Sequence, residues 1–159
     1  MRLLRILIIL LAIAGTVVSV LALRVHYMDP NAAPPCAVTE QWDCGAVNHS
    51  RFAVFPPRSF DEDLNSKGHI PVAAAGIAGY VFIALLALFK RDFLTFEAAQ
   101  IGCFCALLLT FLEKYILEKW CIYCVWSQSI IALTFILSAV NLYLSHRNKQ
   151  RAGLHIRAI

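Results

Sequence analysis

Charge is what this sequence has least of. Asp, Glu, Lys and Arg make up 15% of its 159 residues, against about a quarter in soluble domains, while 60% are hydrophobic. With a mean hydropathy of +0.68, that scarcity excludes an ordinary soluble domain and sets the class as membrane protein. Internal repeats, low-complexity tracts and a second, soluble domain are also missing. So is a metal-ligand pattern: Cys121 and Cys124 supply half of a zinc site, but the other half would need ligands such as His49 or His69 at suitable spacing. The formal net charge of +4 gathers partly in Arg147, Lys149, Arg151 and Arg157. Beside an apolar span such a tail sets topology rather than binding nucleic acid, so neither metal nor nucleic acid is expected.

What is present is apolar length. Crossing a hydrocarbon core of about 30 Å takes roughly 20 residues at 1.5 Å rise each. Four runs qualify, 3–23, 71–89, 93–112 and 122–144, with Glu97 near one end of the third expected at an interface. Arg2 and Arg5 ahead of an apolar stretch also begin a secretory signal, but the run is long and no small-x-small cleavage site ends it before Arg24, so a retained anchor is expected. The fold class is thus all-α integral membrane, a bundle of four transmembrane helices in a single domain, 1–159.

Orientation follows the preference of Lys and Arg for the cytoplasmic side. Arg2 and Arg5, then Lys90 and Arg91, then the basic tail all fall inside, so both termini are cytoplasmic. The loop 24–70 sets Arg24, Arg51, Arg58 and Lys67 against Asp29, Glu40, Asp43, Asp61, Glu62 and Asp63 and faces outward. Its second half holds an apolar patch, Phe52 to Pro57, which either rests on the membrane surface or packs within the loop. Pro71 opens the second span, where its missing N–H costs nothing. Small residues follow, among them Gly76 and Gly79, giving close helix packing or room for a flat ligand.

Six cysteines occur, and four of them lie on the outer side. Cys121 and Cys124 form C-I-Y-C at the start of the fourth span, where unpaired N–H groups and the helix dipole favour a thiolate, so Cys121 should be the more reactive. Three residues is nearly one helical turn, which lets the two sulfurs share a face. By helical rise Cys124 lies about 4.5 Å deeper, suited to a lipid-soluble oxidant, while Cys121 stays within reach of the outer loop. That loop carries Cys36 and Cys44. Alone they would read as a static extracytoplasmic disulfide; beside a C-x-x-C they read as a second dithiol in a relay that moves two electrons by thiol–disulfide exchange. Cys103 and Cys105 sit mid-membrane and read as packing residues.

Four spans, a loop pair after the first and a C-x-x-C opening the fourth resemble the vitamin K epoxide reductase family. The residues that carry the likeness, over nearly the whole chain, are Cys36, Cys44 with Gly45-Ala46-Val47-Asn48-His49-Ser50, Ile70-Pro71, and Cys121-Ile122-Tyr123-Cys124. The DsbB family does similar work but places its C-x-x-C in the first outer loop, the reverse order. The resemblance implies four helices around a quinone of the ubiquinone, menaquinone or vitamin K type, its ring near Cys124, under a capping outer loop. It also implies that Cys44 attacks the Cys121–Cys124 disulfide and that Cys36 exchanges with a partner. Gln128 stands where animal members carry a tyrosine one turn beyond the second cysteine, to bond either a quinone oxygen or a neighbouring helix. Many bacterial members carry a fused thioredoxin-like domain after an extra helix; here the chain ends at Ile159, so a separate thioredoxin-fold, DsbA-like partner is expected. Seven residues between the loop cysteines look more like animal members, and Asn48-His49-Ser50 is a glycosylation sequon, meaningful only in an ER membrane. The bacterial inner membrane remains the expected site.

Three functions fit these residues. An oxidase would pass disulfides outward to folding proteins, with quinone as acceptor. A reductase of vitamin K quinone or its epoxide would use the same residues, direction being set by potentials absent from the sequence. A cysteine-lined metal transporter would continue from Cys124 to Cys103 and Cys105, and it predicts bound metal.

Overall fold

The computed structural model of the chain describes residues 2–29, 34–59 and 68–157, and most of these are helical. Asp61, Glu62, Asp63 and Lys67, counted above in the loop's charge, lie outside the described residues, as do the side chains of Lys149, Arg151 and Arg157. Backbone polar groups in hydrocarbon have no water to bond, so apolar runs of this length satisfy them as helices. Among the described residues, helix α1 (Arg2–His26), α4 (Asp92–Leu112, continued by a π turn Glu113–Leu117) and α5 (Ile122–Arg157) contain the three stretches long and apolar enough to cross a membrane, Arg2–His26, Asp92–Leu117 and Ile122–Asn148. A short helix α2 (Cys44–Asn48) lies in the loop. Helix α3 (Val72–Leu88) is equally apolar but has 17 residues, about 25 Å by helical rise. Of the four expected runs, the second thus forms a shorter helix than the others.

Helix α1 packs on both α3 and α5, and α4 packs on α5. Their shared core is Ile8 and Ala12, Tyr80, Ile83 and Ala87, Ala99, and Ile131. One close approach fixes α1 against α3: a Cβ placed on Gly15 would fall 2.4 Å from the Tyr80 ring. The ring cannot yield, because the Tyr80 hydroxyl donates to the Ser127 carbonyl at 2.8 Å and so reaches α5 as well. At the opposite end Arg5 grips Asp92 with two hydrogen bonds, at 3.0 and 2.8 Å, and the Asn141 amide donates to the same carboxylate at 2.8 Å. The outward faces are apolar, with Leu10, Ile101, Phe104, Leu133 and Ile136 all exposed, as lipid contact requires.

Two short strands position the loop. Strand β1 (Val54–Phe55) pairs antiparallel with β2 (Ile70–Pro71), Val54 opposite Pro71, immediately before α3 begins. Glu97 is half-buried in the second turn of α4.

Candidate functional site

The outer loop is stitched to the chain just ahead of α5 by backbone bonds. The Asp43 N–H donates to the Trp120 carbonyl at 3.0 Å, and the Trp120 N–H donates to the Gln41 carbonyl at 2.7 Å. The Trp42 and Trp120 rings lie against each other, their centroids 6.1 Å apart, and Lys119 reaches the Glu40 carbonyl. Cys44 follows Asp43 and Cys121 follows Trp120, so the stitch sets the two cysteine-bearing segments side by side. Asp43 also caps α2, its carboxylate accepting from the Ala46 N–H at 3.0 Å.

The cysteines meet in a buried cluster of Val25, Cys36, Cys44, Val47 and Cys121, with Tyr123 and Cys124 packed against it. Cys36 and Cys44 are joined as a disulfide, and Cys121 and Cys124 are free thiols. Asn48, one turn after Cys44, spans the two pairs: its amide donates to the Cys44 carbonyl at 2.8 Å and lies 3.6 Å from the Cys121 sulfur. The Cys124 N–H points at the same sulfur from 3.4 Å. Hydrogen bonding from the Cys124 thiol, chiefly, holds the Cys121 thiol below its ordinary value, with the Cys124 and Tyr123 backbones assisting; burial and the nearby Glu113 charge oppose it. The first cysteine of the pair is therefore the one biased toward thiolate, in the manner of reactive C-x-x-C motifs.

Beneath Cys124 an apolar cavity of about 500 Å³ opens between the helices. Cys124, Gln128, Gly76, Tyr80 and Asn48 all line it. Gly76 borders the cavity, and a Cβ there would sit 3.0 Å from the Ser19 hydroxyl. Gln128 likewise borders the cavity while its amide oxygen accepts from Thr110 on α4 at 3.4 Å. The apolar patch of the loop divides, for Phe52 turns in to the cavity wall beneath the Arg51 guanidinium, whereas Phe55 is exposed. Cys103 packs against the core; Cys105 borders the cavity.

Two residues of this site were not evident from sequence. Asn48 stood in the sequence only as part of the family-like run after Cys44 and of a sequon, with no role of its own, though its place four residues after Cys44 sets it on the same face of a helix. Glu113 stands just past the third apolar run, 93–112, and drew no reading from the sequence. It is in fact 4% exposed, lines the cavity, and accepts the Cys121 N–H at 3.3 Å through a carboxylate oxygen. The π turn it begins rotates the end of α4 out of simple helical register, which spacing alone does not reveal.

The chain matches the sequence model of the vitamin K epoxide reductase family over residues 6–139, and it belongs to that family. No curated protein matches it. Membership makes it a membrane oxidoreductase, in agreement with its apolar spans and clustered cysteine pairs.

Proposed function

We propose that this family member is a quinone-dependent thiol–disulfide oxidoreductase that oxidises a thioredoxin-fold, DsbA-like partner. Electrons pass from the partner to Cys36–Cys44, on to Cys121–Cys124, and then to a membrane quinone. The observation that carries this reading is the single buried cluster holding Cys36, Cys44 and Cys121, with Cys124 packed against it and bordering the cavity. In this reading Cys44 attacks the inner pair and Cys36 exchanges with the partner.

The cavity suits a quinone ring: about 500 Å³ lies within the 300–1,000 Å³ of small-molecule sites, and its wall is mainly apolar with a few polar groups. Cys124 would face the ring, Gly76 would leave it room, and Gln128 would offer its amide N–H to a ring oxygen. Bound there, the quinone supplies a two-electron, two-proton acceptor that matches dithiol oxidation. The bundle has four spans, α3 being the shortest, with 24–70 as an outer cap over a single domain and both termini cytoplasmic, in a bacterial inner membrane. Lys90 and Arg91 between α3 and α4 support that orientation.

The test is reduction of ubiquinone or menaquinone by a reduced thioredoxin-fold protein, using purified wild type and single Ala variants of Cys36, Cys44, Cys121 and Cys124. Loss of turnover by at least a hundredfold in all four supports the relay. Wild-type levels in all four, with metal bound in stoichiometric amount, would replace it with metal transport.

A further inference from the structure

Dithiol oxidation must dispose of protons as well as electrons, and none of the four cysteines can do that alone. The Cys121 sulfur has hydrogen-bond donors aimed at it and is biased toward thiolate. Cys124 has no such set, and as a thiol it must lose a proton before its sulfur can react. Glu113 is the carboxyl group in position to receive it. It is 4% exposed, it borders the same cavity as Cys124, and its carboxylate is held at the first turn of the C-x-x-C by the Cys121 N–H. Its backbone and side chain are both fixed: the carbonyl accepts the Lys119 N–H at 3.2 Å and the carboxylate accepts the Cys121 N–H at 3.3 Å. Among the described residues no Lys, Arg or His forms an ion pair with it, so no cation competes with a proton for the carboxylate.

A carboxylate buried in apolar surroundings without a cation is costly to keep charged, and such groups concentrate where protons are transferred. A purely architectural role would need only a hydrogen-bond acceptor for the Cys121 N–H, which an uncharged Gln provides equally well. That difference makes the role testable.

We propose that Glu113 is the proton acceptor for Cys124, the catalytic base of the inner cysteine pair. In this step the Cys124 S–H bond breaks, its proton moves to a Glu113 oxygen, and the Cys121–Cys124 S–S bond forms as two electrons leave the pair. When the acceptor is the quinone, which rests on the function proposed above, the proton on Glu113 passes across the cavity to one ring oxygen. The second proton required for quinol is the one given up by Cys121, returned from the outer aqueous side. When the acceptor is instead an aromatic disulfide, Cys121 attacks it and releases one aromatic thiolate. Cys124, deprotonated by Glu113, then displaces the second.

That last reaction tests Glu113 without any quinone. Full-length chain with Cys36, Cys44, Cys103 and Cys105 replaced by Ala is reduced and mixed with 4,4′-dithiodipyridine, and release of pyridine thione is followed in wild-type-Glu113, Glu113→Gln and Glu113→Asp versions. The expected result in Glu113→Gln is a first release no slower than with Glu113, since loss of the nearby charge favours the Cys121 thiolate, and a second release slowed roughly 10²- to 10⁴-fold, the usual worth of general-base catalysis, with partial recovery in Glu113→Asp. Equal second releases in all three overturn the proposal, as does parallel slowing of both phases, which would make Glu113 an architectural residue. Quinone reduction is measured on the same Glu113 variants with the six cysteines restored. A slowed second release together with no quinone turnover in wild type would remove the quinone reading and keep Glu113 as the thiol base. Slowed release with active wild type and failing Glu113→Gln supports both.

Discussion

At the scale of single residues, the chemistry of the site turns on how differently two neighbouring thiols are treated. Cys121 stands at the entrance of α5 with the Cys124 N–H and the Asn48 amide facing its sulfur, and hydrogen bonding from the Cys124 thiol is the largest influence lowering it. The sign of the consequence is simple: a lowered thiol keeps its thiolate as pH falls below the ordinary thiol value of about 8.5, and loses it only on passing its own lower midpoint. Replacing Cys124 by Ala removes that influence while burial remains. The Cys121 midpoint should then rise, read from thiolate ultraviolet absorbance in a chain whose other cysteines are Ala. An unchanged midpoint would show that the backbone donors alone suffice. Asn48→Ala should slow exchange between the loop pair and the inner pair, since the amide is the side chain that spans them.

At the scale of elements, what matters is how tightly small residues let the helices approach. Gly15 and Gly79 make a matched pair for testing this. A Cβ on Gly15 would collide with the Tyr80 ring, held in place by Ser127, whereas a Cβ on Gly79 meets nothing within 4 Å. Gly15→Ala should cost about 1–3 kcal/mol through overpacking, and Gly79→Ala should be neutral or gain up to about 1 kcal/mol from helix propensity. Thermal unfolding in detergent distinguishes the two. The elements themselves were legible in the sequence, because a run of some 20 mainly apolar residues has one stable backbone solution in lipid. Its ends were legible only to within a few residues: α1 continues to His26 rather than stopping at Leu23, since the last turns rest on the loop and not in lipid. The cysteine pairs were legible because C-x-x-C at a helix start is a short-range pattern. Glu113 was not, because its meeting with Cys121 depends on a π turn and a left-handed residue, Glu118 at φ 51°, that reverse the chain between them.

Across the whole molecule, polar ties at the two ends bracket an apolar middle. The end remote from the cysteines is closed by Arg5, Asp92 and Asn141, which join α1, α4 and α5 with side chains only 18% and 11% exposed for the ion pair. Removing one partner strands the other: Arg5→Met should cost about 3 kcal/mol or more and lower the midpoint of thermal unfolding. The double variant Arg5→Met/Asp92→Leu should recover most of that loss, because it removes the desolvated charge along with its partner. If the double variant is no more stable than the single, the pair contributes to stability in its own right.

The backbone bonds between residues 41–43 and Trp120 have a further consequence for how this chain tolerates change in length. They act as a ruler. From the bonded carbonyl of Trp120 to Cys121, and from the bonded N–H of Asp43 to Cys44, there is one peptide step each, so the meeting of the two pairs is set by covalent dimensions and not by side-chain fit. Side chains along 41–43 and 118–120 can therefore vary while Cys44 and Cys121 still arrive. A single inserted residue between Trp120 and Cys121, or between Asp43 and Cys44, would displace a sulfur by about 3.3 Å or more, beyond the reach of a disulfide.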